Sequence, residues 1–206
     1  MTLATNEAAV HLVDDEAPVR AAREFLLRSH GLAVCSYDSG PAFLERLGQP
    51  APVRGCIVLD VRMEPMSGLQ VHDALVARGV AVPVIFLTGH GDIRMAVDAL
   101  KKGAFDFVEK PFGDGVLVER IHDAMAADAQ QQARLAEGDA RGAKLAGLTQ
   151  REQAVMQRVA AGKLNKVIAD EMNVSMRTVE VYRARVFAKL GVKSSAELAT
   201  LLATAK

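Results

Sequence analysis

Cysteine is scarce in this chain. Only Cys35 and Cys56 occur among 206 residues, too few for a disulfide framework, and both are expected as reduced thiols of a cytoplasmic protein. Long apolar runs are missing too: none approaches the roughly 18 residues of a membrane span. The N-terminus lacks the basic-then-apolar pattern of a signal peptide. A soluble, cytoplasmic protein with no membrane partner is therefore expected. His11, His30, His72 and His122 share no metal-ligand spacing and read as core or surface residues. No internal repeat is evident. Net charge is absent as a sum but not as a distribution. Residues 1–128 carry 12 Lys and Arg against 18 Asp and Glu, whereas residues 146–206 carry 10 against 5. An acidic half joined to a basic half suggests a regulatory or metal-binding module tethered to a nucleic-acid binder. With 50% apolar residues the chain can bury a real core in one to two domains.

What is present begins with the run Cys56-Ile57-Val58-Leu59-Asp60. Four apolar residues without polar alternation read as a strand covered on both faces, as in a parallel sheet flanked by helices. Similar strands are expected over 8–13, 32–37, 82–88 and 105–110. Helices are expected from Pro18, after the capping Ser39, over 68–77, over 93–102 and from Asp114 toward Glu137. Five strands alternating with five helices predict an α/β fold, a doubly wound five-stranded parallel sheet with right-handed crossovers. Gly138 and Gly142 mark an interdomain linker. The expected domains are 1–128, a helical extension and linker over 129–145, and an all-α helix-turn-helix domain over 146–206.

Asp14 and Asp15, Asp60, Thr88 and Lys110 each fall at the C-terminal end of a different predicted strand. Singly they have plainer readings: a capping cluster, a turn residue, a solvated strand end. In a parallel sheet, however, those ends lie along one edge. Three carboxylates near one point call for a cation, and hard oxygen ligands with room for water suit Mg²⁺. A divalent ion there would polarise a phosphoryl group, which Asp60 could attack as a carboxylate nucleophile. Lys110 would neutralise one phosphate oxygen and the Thr88 hydroxyl would donate to another.

Asp14-Asp15, Asp60, Thr88-Gly89 and Lys110-Pro111-Phe112, in this order and spacing, resemble the receiver domain of bacterial two-component response regulators over about residues 8–128. The resemblance implies phosphotransfer from a sensor histidine kinase to Asp60. It implies Mg²⁺ bound by Asp15, Asp60 and the Arg62 carbonyl, with Asp14 acting through water, and a cis Lys110–Pro111 peptide. It places Phe107 at the aromatic switch position, and Arg62 and His90 where the lifetime of the phosphoryl group is tuned; His90 reads equally as a polar loop residue. One departure stands out. The family usually has Met-Pro-Gly after the acceptor, whereas this chain has Met63-Glu64-Pro65-Met66, which adds a carboxylate and shifts the proline.

In the second half, Thr149–Ala161, Asn165–Met172 and Met176–Leu190 read as helices, the last capped by Ser175 and ended by Gly191. The short Asn173-Val174 turn makes a helix-turn-helix whose second helix can enter the major groove of double-stranded DNA. Val179, Tyr182, Val186 and Leu190 supply the packed stripe. That leaves Arg177, Thr178, Glu180, Val181, Arg183, Ala184, Arg185 and Lys189 exposed. A helical bundle with a solvated basic face is the plainer alternative. Leu148-Thr149-x-Arg151-Glu152, Asn165-Lys166-x-Ile168-Ala169 and Arg177-Thr178-Val179-Glu180-Val181 resemble the LuxR/NarL-type DNA-binding domain. With the receiver, they look like the FixJ or StyR branch of response regulators. By family position Glu180, Val181 and Ala184 face bases, while Lys166, Thr178, Arg183 and Lys189 hold the backbone. Tyr182 replaces a common histidine. The whole implies a transcription regulator that dimerises on phosphorylation and catalyses nothing beyond its own phosphotransfer and autodephosphorylation. The alternative is a DNA-binding regulator with a receiver-like fold that senses a ligand or partner without phosphorylation.

Overall fold

The computed structural model describes residues 7–47, 53–89 and 93–203, which form two units dividing at Gln131/Gln132. The first unit alternates strands and helices: β1 Ala9–Val13, α1 Ala17–Ser29, β2 Val34–Tyr37, α2 Gly40–Leu47, β3 Gly55–Asp60, α3 Gly68–Ala77, β4 Val84–Thr88, α4 Ile93–Lys101, β5 Asp106–Glu109 and α5 from Asp114. The sheet order is β2-β1-β3-β4-β5, every pair parallel. β1, β3 and β4 are buried along their whole length, as unbroken apolar strands must be when helices cover both faces. The chain winds from β1 outward in both directions, so the order reverses at β1 and β3. Their C-terminal ends therefore open the crevice where such folds place ligands.

Two apolar layers sandwich the sheet. One joins Val10, Leu12, Cys56, Val58, Ile85 and Leu87 to Leu27 of α1 and Leu117 and Ile121 of α5. The other joins Val13, Ile57, Leu59 and Phe86 to Phe43 of α2 and Val71 and Leu75 of α3. Strands start later than the apolar runs suggest. Leu32 still closes the C-terminal turn of α1 by donating to the Leu27 carbonyl, and Pro83 has no N–H to pair. Gly55 has φ of +104°, and a Cβ there would lie 2.2 Å from the Ala9 carbonyl oxygen, so glycine is needed where β3 enters beside β1. Its N–H donates to Asp128 Oδ2 of α5 at 3.0 Å.

Helix α5 spans Asp114–Ala146, so Gly138 and Gly142, expected to mark a linker, lie in helical backbone. Each costs about 1 kcal/mol against alanine, which the alanine-, leucine- and charge-rich flanks sustain. Beyond it lie α6 Gln150–Ala160, α7 Asn165–Met172, α8 Met176–Leu190 and α9 Ser195–Ala203. Thr149 and Glu152 close a capping box on α6. Asn173 ends α7 in the left-handed conformation, φ 52°, and Ser175 caps α8. Val155, Val159, Ile168, Val179, Val186, Leu190 and Leu198 form this unit's core.

Candidate acidic site and nucleic-acid interface

The crevice collects side chains from four strand ends. Asp14 and Asp15 follow β1, Asp60 closes β3, Thr88 closes β4 and Lys110 follows β5. Lys110 Nζ donates to Asp60 Oδ2 at 2.5 Å. Asp60 Oδ1 accepts from the Arg62 N–H at 3.3 Å, and Asp15 Oδ2 accepts from the Glu64 N–H at 3.0 Å. The departure in the following loop thus brings Glu64 to the site through its backbone. Both Glu64–Pro65 and Lys110–Pro111 are cis. Gly68, the first residue of α3, presses on the acceptor strand: a Cβ there would sit 2.2 Å from the Asp60 carbonyl oxygen. Its N–H donates to the Val61 carbonyl at 3.1 Å.

Thr88 is fully buried, and its Oγ1 lacks a hydrogen-bond partner among the described residues. A buried hydroxyl without a partner costs free energy unless something else meets it. It lies one residue past Leu87, the partner of Asp60 in the sheet. Phe107 is partly buried against the α2–α3 layer. Arg62 is exposed at the rim, and His90 lies outside the described residues.

A cation from α1, not singled out in the sequence, enters the cluster. The Arg23 guanidinium pairs with Asp14 Oδ2 and lies 4.0 Å from Asp60 Oδ2. Burial raises the Asp14 carboxyl above its usual range, against the pull of Arg23. The signal was available: Arg23 shares the inward spacing of Val19, Leu26 and Leu27, an arginine on an apolar face. Asp14, Asp15 and Asp60 suit a hard divalent cation by donor type. Among the described residues, however, no three acidic or imidazole groups are gathered about one point.

In the second unit, one face of α8 presents Arg177, Glu180, Val181 and Ala184, all exposed, with Thr178 half-buried at its start. Lys166 on α7 is exposed beside it. Two cations expected on the DNA backbone have partners within the unit as well. Arg183 donates to Asn165 Oδ1 at 2.6 Å and Ser195 Oγ at 3.0 Å, its guanidinium over the Phe187 ring. Lys189 Nζ lies 2.7 Å from Glu152 Oε2 and 3.2 Å from the Gly147 carbonyl oxygen. That bond, joined by the Thr149 N–H, holds the Glu152 carboxyl down at about 2.

Two families match this chain: the response regulator receiver domain over residues 10–122 and the bacterial regulatory proteins of the luxR family over residues 146–202. The chain belongs to the two-component response regulators. This response regulator is 48% identical to the C4-dicarboxylate transport transcriptional regulatory protein DctR of Rhodobacter capsulatus, over 93% of this chain and 98% of that protein. It is 45% identical to the transcriptional regulatory protein FixJ of Azorhizobium caulinodans, over 92% of this chain and 89% of that protein. The solved structure of response regulator StyR matches it at a TM-score of 0.88 and 37% identity, covering 96% of this chain and 99% of that one. The response regulator thus joins a receiver to a LuxR-type helix-turn-helix and regulates transcription. Both relatives are transcriptional regulatory proteins. Among the described residues no helix is long and apolar enough to cross a membrane.

Proposed function

We propose that Asp60 accepts a phosphoryl group from a sensor histidine kinase, and that this switches dimerisation and sequence-specific DNA binding through α8. A carboxylate oxygen of Asp60 forms the bond to phosphorus as the bond to the donor's histidine nitrogen breaks. The observation that carries the reading is the company Asp60 keeps: Lys110 on one oxygen and a buried, unpartnered Thr88 hydroxyl on the next strand. On phosphorylation the Lys110 ammonium shifts its ion pair from Asp60 to a phosphoryl oxygen, and the Thr88 hydroxyl gains the acceptor it lacks. Phe107, partly buried beside Thr88's strand, follows that movement and changes the surface near β5. Arg62, exposed at the rim, flanks the approach of water and together with His90 sets the lifetime of the phosphoryl group.

Asp15, Asp60 and the Arg62 carbonyl would hold Mg²⁺, with Asp14 acting through water. The ion when bound would neutralise charge on the incoming phosphoryl group. On DNA, Glu180, Val181 and Ala184 meet base edges, while Lys166, Arg177 and Thr178 hold phosphates. Arg183 and Lys189, each also bonded within the unit, join them on the backbone. Such a regulator acts in the cytoplasm, where its DNA is, and its only chemistry is gaining and losing its own phosphoryl group.

Acetyl phosphate with Mg²⁺ should label the wild-type chain but not Asp60→Asn, and should strengthen DNA binding only in the wild type. Full labelling of Asp60→Asn would remove Asp60 as the acceptor. DNA binding controlled without any labelling would favour a ligand- or partner-sensing regulator.

A further inference from the structure

Arg23 has no place in the proposed phosphoryl chemistry, yet it is the most committed cation in the crevice. Its side chain is only 12% exposed. It pairs with Asp14 Oδ2, while Asp14 Oδ1 accepts from the Glu16 N–H at 2.9 Å, so both oxygens of that carboxylate are engaged. The same guanidinium stands 4.0 Å from Asp60 Oδ2 and 5.9 Å from the centre of the Phe112 ring. Two buried carboxylates repel unless a positive charge is shared between them, and Arg23 is placed to be that charge.

We infer that Arg23 is a resident counter-cation that Mg²⁺ has to displace from Asp14, and that it thereby sets how much Mg²⁺ the receiver needs. This rests on the proposed binding of Mg²⁺ by the acidic cluster. With the guanidinium on Oδ2 and the Glu16 N–H on Oδ1, each Asp14 oxygen keeps one lone pair for a metal-bound water, and the guanidinium stands on the side that faces Asp60. A guanidinium left between Asp14 and Asp60 would repel a divalent ion bound to Asp60. The displaced arm has a destination. Arg23 borders an open hollow of about 580 Å³ lined by Val19, Ala22, Phe25, Leu26 and Phe112. There its planar head can stay on the Phe112 face while its stem packs on apolar surface. The apo site would thus be held neutral by the protein itself and open to the ion by exchange.

The test is a calorimetric Mg²⁺ titration of the full chain at constant ionic strength, comparing wild type, Arg23→Gln and Arg23→Lys. Arg23→Gln should bind Mg²⁺ at least about tenfold more tightly, because the competing charge is gone. Arg23→Lys, which keeps the charge, should return toward the wild-type value. Thermal melts give a second readout. Without Mg²⁺, Arg23→Gln should melt below wild type, and Mg²⁺ should raise its melting temperature by more than it raises the wild type's. A purely packing role for Arg23 would lower the melt at every Mg²⁺ concentration and leave affinity unchanged, overturning the inference. Equal Mg²⁺ binding by all three proteins would overturn it while sparing the metal reading. No Mg²⁺ binding by any of them would overturn both.

Discussion

Acid should weaken the receiver through His11. The ring sits in β1, between β2 and β3, 4% exposed, with its centroid 6.0 Å from those of Tyr37 and Phe43. Its Nδ1 is 3.2 Å from Tyr37 Oη and its Nε2 is 3.3 Å from the Arg54 carbonyl oxygen. Burial lowers its pKa from 6.5 to about 4; the Arg54 carbonyl opposes the shift and Arg46 adds to it. The unfolded chain therefore takes up a proton below 6.5, whereas the folded chain does so only near 4. The contribution of the neutral ring is whole above pH 6.5, falls as pH drops toward 4, and is gone below that. At about 1.4 kcal/mol for each pH unit, the full loss is about 3 kcal/mol, of which about 2 kcal/mol falls between pH 7 and pH 5. Asp14, raised by burial, works in the opposite sense but is common to both proteins being compared. Urea unfolding of wild type and His11→Gln, followed by circular dichroism, isolates the histidine. The wild-type advantage should shrink by about 2 kcal/mol from pH 7 to pH 5. An advantage unchanged over that range would show that the ring titrates normally in the fold, and the reasoning from burial would fail.

Thr88→Val should not destabilise the unphosphorylated chain and should stabilise it by about 1 kcal/mol in a thermal melt, since it replaces an unpartnered buried hydroxyl. The same variant should lose phosphate-dependent DNA binding. Asp128→Ala should cost about 2–4 kcal/mol in chemical unfolding, because the buried Gly55 N–H and the Arg54 guanidinium both lose their acceptor. Asp128→Asn, which keeps an acceptor oxygen, should cost less. Lys166→Ala should lower the salt slope of DNA binding by about one charge. Lys189→Ala should lower the helical unit's melting temperature more than it changes that slope, because its ammonium is held by Glu152.

The sheet and its edge were legible because parallel strands advertise themselves as unbroken apolar runs, and their last residues must share an edge. That logic puts Asp14, Asp15, Asp60, Thr88 and Lys110 along one edge from positions far apart in the chain. Helix caps were equally plain: Thr149, Ser175 and Gly191 end their segments where the residue types demand. The sequence was less informative where one residue type serves two ends. Gly138 and Gly142 resemble linker residues, but neighbours of high helix propensity carry the helix through them. Arg183 and Lys189 read as surface cations, because charge alone does not reveal an acceptor such as Asn165 or Glu152 waiting across the bundle. Arg23 is the mirror case, a charged residue at a position whose spacing points inward.

The close seat of Gly68 against Asp60 has a consequence for how a signal can leave the pocket. With sheet bonds on both flanks of β3 and a helix start resting on its last carbonyl, the main chain under the acceptor has nowhere to travel. A new charge on that carboxylate must be answered by parts that can still move: a hydroxyl turning, an ammonium changing hands, a ring swinging at the next strand. The acceptor behaves as an anvil, and the message is whatever its neighbours do when struck.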